Sequence, residues 1–261
     1  MRNLLSAASA VLSLAIIFVL SSAVGANAAV IFDNTLVPLP ANVPSLGYQA
    51  EQTSEFGNEL SFAGTSRNLA NVQIVMSDGA IQTNWPGFGD ATGYDQSITL
   101  NFYNPGSGTT VGTLIASKSE IVHVPWYTPN SATGIAFPVN FDFTGVTVPD
   151  TVIFGVAYNT QTYGANPIGV PGPYISLNYG VAVVAPSVGT DVNPDDAYWN
   201  TSRASNYADG GAAGVGTFRE DTGWAPYAAM IQVSTVPEPT SMVMLALGSL
   251  MLLLHRRRRS I

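Results

Sequence analysis

The chain has no cysteine, so its chemistry must come from oxygen, imidazole and aromatic groups. Disulfide staples, thiolate zinc sites, iron–sulfur clusters and cysteine nucleophiles are excluded together. Asp191, Asn193 and Asp195, followed by Asp196, place oxygen ligands at alternate positions, as at the start of an EF-hand-type calcium loop. A hard cation needs several oxygens from one tight turn. The sixth position is Asp196 where such a loop wants Gly, and the twelfth is Ser202 where a bidentate Glu is usual. A solvated turn around Pro194 is the competing reading. Tyr198-Trp199-Asn200 adjoins this turn, and Trp85, Trp126, Tyr127 and Trp224 lie in other Gly/Pro/Asn-rich connections. Aromatic faces beside amides and carboxylates suit saccharides, which offer an apolar ring face and hydroxyl edges. Trp199 and Tyr198 are the candidate glycan residues. The bland alternative is that loop aromatics cover the ends of a core.

Catalytic patterns are sparse, and no catalytic residue is assigned. His123 lies in an apolar run before Pro125-Trp126, where a strand residue is the simpler reading than a general base. No G-x-S-x-G, H-E-x-x-H or S-x-x-K arrangement is present. Two carboxylates about 5–10 Å apart would suffice for glycoside hydrolysis. Glu120, Glu220 and Asp221 are available, so a secreted polysaccharide hydrolase stands as the alternative class. Gly210–Gly216 lacks the strand-to-helix context and following Lys-Ser/Thr of a phosphate loop.

The two ends carry the clearest signals. Met1-Arg2-Asn3 precedes an apolar run densest over Val11–Leu20, which closes at Ala26-Asn27-Ala28. This is the layout of a secretory signal peptide, with cleavage expected after Ala28, or alternatively after Ala26. At the other end, Pro237-Glu238-Pro239 precedes the apolar run Ser241–Leu254, then His255 and Arg256, Arg257, Arg258 and Arg259. Fourteen residues at 1.5 Å rise give a helix of about 21 Å, short for a ~30 Å hydrocarbon core. The arginines stay on the cytoplasmic side, which puts the preceding domain on the far side of the membrane. Prolines hold the segment before the helix extended, the form in which proteases and transpeptidases read a chain.

This ordered tail resembles the PEP-CTERM sorting tail of exported proteins of Gram-negative bacteria. The resemblance covers about the last 25 residues. It implies recognition of Pro237-Glu238-Pro239 by a membrane-embedded exosortase, a transient inner-membrane anchor, and delivery of the ectodomain to the cell surface or the exopolysaccharide matrix. Together with the signal peptide it implies the Sec translocon, signal peptidase and exosortase as processing partners.

Between these ends, residues 29–236 carry four basic and sixteen acidic side chains, a net −12 against −8 for the whole chain. Such a surface repels nucleic acid and other anionic polymers and attracts divalent cations, calcium among them. Period-two alternation runs through Ser97–Tyr103, Ala136–Phe143 and Thr151–Tyr158. Shorter candidates are Val72–Met76, Thr113–Ala116, Ile121–Val124, Ile175–Leu177, Val181–Ala185 and Ala229–Val233, bounded by Gly, Pro, Asn or Asp clusters. An all-β antiparallel sandwich or jelly roll over residues 29–236 is expected. Glu51, Glu55 and Glu59 have helical spacing, but like charges stacked at i,i+4 repel, so this segment reads as loop. Val233–Val236 reads as a tether to the tail. The expected organisation is a signal peptide (1–28), an exported domain (29–236) and a sorting tail (237–261). A non-enzymatic surface or matrix protein that binds glycan or calcium is the leading functional expectation, with a purely structural matrix protein as a further alternative.

Overall fold

A computed structural model describes residues 28–48, 53–129, 133–158, 176–200 and 218–236. The signal segment, the sorting tripeptide, the apolar run, the arginine cluster and Gly210–Gly216 lie outside these residues. Within them the chain forms β1 (Ala29–Asp33), β2 (Ser45–Leu46), β3 (Glu55–Gly57), β4 (Glu59–Ser61) and β5 (Leu69–Asp78). A single 3-10 turn, Gln82–Asn84, precedes β6 (Gly93–Pro105), β7 (Val111–Pro125), β8 (Ile135–Asp142) and β9 (Thr151–Ala157). Then come β10 (Leu177–Ala182), β11 (Thr190–Asp191), β12 (Asp196–Asn200), β13 (Phe218–Thr222), β14 (Ala228–Ala229) and β15 (Ile231–Thr235). Among the described residues no helix is long and apolar enough to cross a membrane.

The strands make two antiparallel sheets, a sandwich as the alternation predicts. One has the path β1-β15-β5-β10-β14, with β2 on β10 and β8 on β5. The other has the path β11-β4-β9-β3-β12-β13, with β6 on β9 and β7 on β6. Alternation places Ile98, Leu100 and Phe102 of β6 on the inner face, all fully buried. They meet Val72, Ile74 and Met76 of β5, Val139 and Phe141 of β8, and Phe143 just after it, in one apolar cluster. Each such side chain contributes about 1.5–3 kcal/mol on burial.

The sheet of β6 is buried on its other face as well. Thr99, Asn101 and Tyr103, whose pattern reads as a solvent face, are at most 5% exposed. Tyr103 packs with Ile153, Tyr198 and Phe218 in a second small cluster. Glu55 is wholly buried there, accepting hydrogen bonds at Oε1 from Asn101 Nδ2 and Tyr103 OH, both at 2.9 Å. Gly155 makes the room, since a Cβ there would lie 2.2 Å from the same oxygen. The loop reading of Glu55 and Glu59 is therefore corrected. In β3 and β4 they sit at strand rather than helical spacing, and local partners replace the mutual repulsion.

Three other expectations change. Thr113–Ala116 and Ile121–Val124 belong to the one long strand β7. Its polar centre, Ser117–Glu120, reads as a break but is an exposed edge. Asp196–Asn200 is strand, not turn margin. Val233 and Thr235 are fully buried in β15, which leaves Val236 alone between the sandwich and Pro237.

β15 is flanked by β1 and β5. The end of β1 meets the start of β15: Ile231 N–H donates to Asn34 Oδ1 (2.7 Å) and Gln232 Nε2 to Asp33 Oδ2 (2.8 Å). The two strands thus run oppositely, and Val30 and Thr235 lie at the same end of the sheet.

Close strand packing also gives a test. A Cβ at Gly57 would lie 1.8 Å from the Phe154 carbonyl oxygen, a backbone atom held in β9. Gly57→Ala should cost about 3 kcal/mol by forcing those strands apart. That lowers the unfolding midpoint by roughly 6–12 °C. Calorimetry showing no downward shift would contradict the tight approach.

Candidate functional site

Trp126, Tyr127 and Thr128 follow β7, and Gly134 leads into β8 at Ile135. The Leu39–Ala41 segment stands against this connection, its Ala41 carbonyl accepting from Ala136 N–H at 2.8 Å. Between them is a cleft of about 380 Å³, lined chiefly by Leu39, Pro40, Trp126, Tyr127, Thr128 and Ile135. Local bonds fix the wall: Tyr127 N–H donates to Ala80 O (2.8 Å) and Trp126 Nε1–H to Asp90 O (2.7 Å). The Trp126 ring packs on Tyr94 at 4.9 Å and Phe88 at 6.3 Å, and Phe88 packs on Trp85 at 5.8 Å. Trp85 and Trp126 therefore close this end of the core, while Tyr127 stays partly open.

Behind this wall lies Asp78, wholly buried at the end of β5. Tyr94 OH donates to its Oδ1 and Ala80 N–H to its Oδ2, both at 3.2 Å. Burial pushes its carboxyl up to about 7, against the opposing pull of the Tyr94, Ala80 and Gly79 hydrogen bonds. Sequence reading gave no signal for Asp78, because one acid at the end of an apolar strand has no spacing to mark it.

The predicted calcium ligands span the end of β11 and the turn that leads from it into β12. Asp191 lies in β11, opposite Leu60 of β4. Asn193 turns its amide nitrogen to Glu220 Oε1 (3.2 Å) and Glu59 Oε2 (3.4 Å). Asp195 is exposed, and its carbonyl accepts from Gly223 and Trp224 N–H at 2.9 Å. Among the described residues no three His, Asp or Glu side chains are placed to hold a metal ion together. The connection between β11 and β12 keeps a turn at Pro194-Asp195, closed by Asp196 N–H donating to Asn193 O at 2.9 Å.

What gathers here is a set of acids whose carboxyls are raised above the ordinary range. Burial, followed by the charges of Asp196 and Glu59, raises Asp191 to about 6 against the Asn193 backbone hydrogen bond. Burial raises Glu59 as well. Glu220 is raised by desolvation, then by its hydrogen bond to Asp196 and the charges of Asp196 and Glu59, with Asn193 opposing.

Trp199 and Tyr198 are 6% and 4% exposed, on opposite faces of β12. Trp199 packs on Trp224 at 6.1 Å, and both indole N–H groups donate to Asp221 Oδ2, at 2.9 and 3.3 Å. Tyr198 packs on Phe218 at 6.1 Å. The expected glycan face at these residues is corrected: both rings are spent on packing.

Of the candidate hydrolytic acids, Glu220 and Asp221 are neighbours on β13 and point to opposite faces, while Glu120 lies on β7. The pair that touches, Asp196 and Glu220, is directly hydrogen-bonded, closer than glycosidase geometry requires. His123 is a strand residue of β7, with Nδ1 at 3.0 Å from Asp95 Oδ1 and Nε2 at 3.0 Å from Thr92 Oγ1. The Thr92 hydroxyl donates to Asp90 Oδ1 at 2.6 Å. Its proton is thus committed away from the imidazole.

The last strand of the sandwich, β15, is followed in the sequence by Val236, Pro237-Glu238-Pro239 and the apolar run Ser241–Leu254. The PEP-CTERM protein-sorting motif matches residues 235–259, overlapping β15 at Thr235. The chain therefore carries a PEP-CTERM sorting motif, which marks it as an exported protein sorted by exosortase. No curated protein and no solved structure matches the chain.

Proposed function

We propose that the mature 29–236 domain is a non-enzymatic component of the cell surface or exopolysaccharide matrix, and that it holds uncharged saccharide in the Trp126–Tyr127 cleft. The precursor is anchored at the inner membrane by the tail and released by exosortase. The cleft carries the binding reading. Its ~380 Å³ falls in the size range of small-ligand sites. Its lining combines a partly open tyrosine, a threonine hydroxyl and apolar walls, without a charged side chain. A domain of net −12 would repel anionic polymers, which favours a neutral sugar.

Titration of neutral oligosaccharides, chosen from a glycan array, tests this. Tyr127→Ala should weaken binding by roughly tenfold, about 1.4 kcal/mol, as expected for one lost stacking face. A silent array with the unaltered protein removes the glycan reading, and turnover of an array hit would move the domain to the hydrolases.

A further inference from the structure

We propose that β7 is a dimerisation edge, pairing antiparallel with β7 of a second copy about a two-fold axis at Ser119. Among the described strands only β6 pairs with β7, while β13 reaches the start of β7. There Thr110 bridges Arg219, Thr109 O accepts from Glu220 N–H at 2.8 Å, and Val111 packs against the cluster that holds Phe218. Beyond that start, the other edge of β7 offers a row of backbone donors and acceptors that no described residue pairs with. Register with β6 is unbroken from Gly93↔Pro125 to Phe102↔Ala116, with bulges only beyond. Ser117–Ile121, the middle of this regular stretch, is exposed, and Ile121 is 62% accessible. β8, an edge of the opposite sheet, is blunted by Pro138 in mid-strand, whereas β7 has no proline before its last residue.

The occupant is specified by charge. Lys118 and Glu120 flank Ser119 symmetrically and point to one face of the strand. An antiparallel copy centred on Ser119 sets Lys118 against Glu120 of the second copy, and the two-fold axis makes that pair twice. Neither side chain is within ion-pair distance of a partner among the described residues. The Lys118 charge does reach Asp142 at the end of β8, whose carboxyl is lowered by hydrogen bonds from Thr144 and further by that charge. The same register sets Ala116 against Val122 and Ser117 against Ile121 of the second copy. Lys118 is one of four basic side chains in a domain of net −12, so a like-charged copy finds few other faces to approach.

The absence of cysteine makes the test clean. In the full chain held in mild detergent, Ser119→Cys should give a disulfide-linked dimer on mild oxidation, well ahead of Thr144→Cys, exposed just after β8. Sedimentation should show a reversible dimer of the unaltered protein. Lys118→Glu should weaken it by roughly tenfold, since two attractions become repulsions worth about 1.4 kcal/mol together, and Lys118→Glu with Glu120→Lys should restore it. A monomer at every concentration, with Ser119→Cys no faster than Thr144→Cys, overturns the proposal. So does aggregation on Lys118→Glu, which would make Lys118 a guard against edge pairing.

Discussion

Asp78→Asn should stabilise the domain by about 2–4 kcal/mol at pH 8 and by little at pH 4. The Asp78 carboxyl is wholly buried and titrates near 7, against 3.8 in the unfolded chain. Between those values the folded state binds more protons than the unfolded one, so stability falls as pH rises. The contribution is complete below 3.8 and is lost as pH rises through about 7, a difference of ~4 kcal/mol at most. Asparagine fits the same bonds. Its oxygen can accept from Ala80 N–H, and its NH₂ can face the Tyr94 hydroxyl, which rotates to accept. Thermal unfolding of both proteins across pH 4–8 measures this. A variant with the original slope, or one less stable at pH 8, refutes the assignment. Asp191, Glu59 and Glu220 are raised too, so the variant should keep a smaller slope of the same sign.

Replacing Pro237-Glu238-Pro239 by three alanines should leave precursor with its tail uncleaved in the inner membrane, with loss of nearly all released product. The motif match begins at Thr235, inside β15, and only Val236 separates that strand from Pro237. In the sequence the exosortase signal thus follows a packed strand after a single residue. A flexible six-residue Gly/Ser insertion after Val236 should speed release in pulse-chase experiments, because it frees the segment without loosening β15. Normal release of the alanine variant refutes the sorting role. Unchanged or slower release with the insertion shows that the sandwich does not crowd the motif.

Where one face of a strand is strongly apolar, the sequence announces the strand: Ser97–Tyr103, Ala136–Phe143 and Thr151–Tyr158 all fall within β6, β8 and β9 or extend one residue past them. The misses share a cause. β3, β4 and β13 carry glutamate, arginine or aspartate at positions that burial and specific partners make tolerable, and no composition rule anticipates a glutamate over Gly155. The site was legible only in part. Trp126 and Tyr127 stood among the loop aromatics, but their meeting with Leu39 and Pro40 around one cleft is a long-range fact of folding. Tyr198 and Trp199 misled because aromatic-next-to-acid is the same string whether the ring faces a sugar or a core. The tail was legible because its signal is read by machinery as linear sequence.

The pairing of β1 with β15 has a topological consequence. Entry to the fold at Val30 and exit at Thr235 share one pole, so a nascent chain gripped at both extremities can still close its sandwich without threading either one. The sorting motif begins at Thr235, so the residue at which it starts and the first strand of the fold are neighbours at that pole.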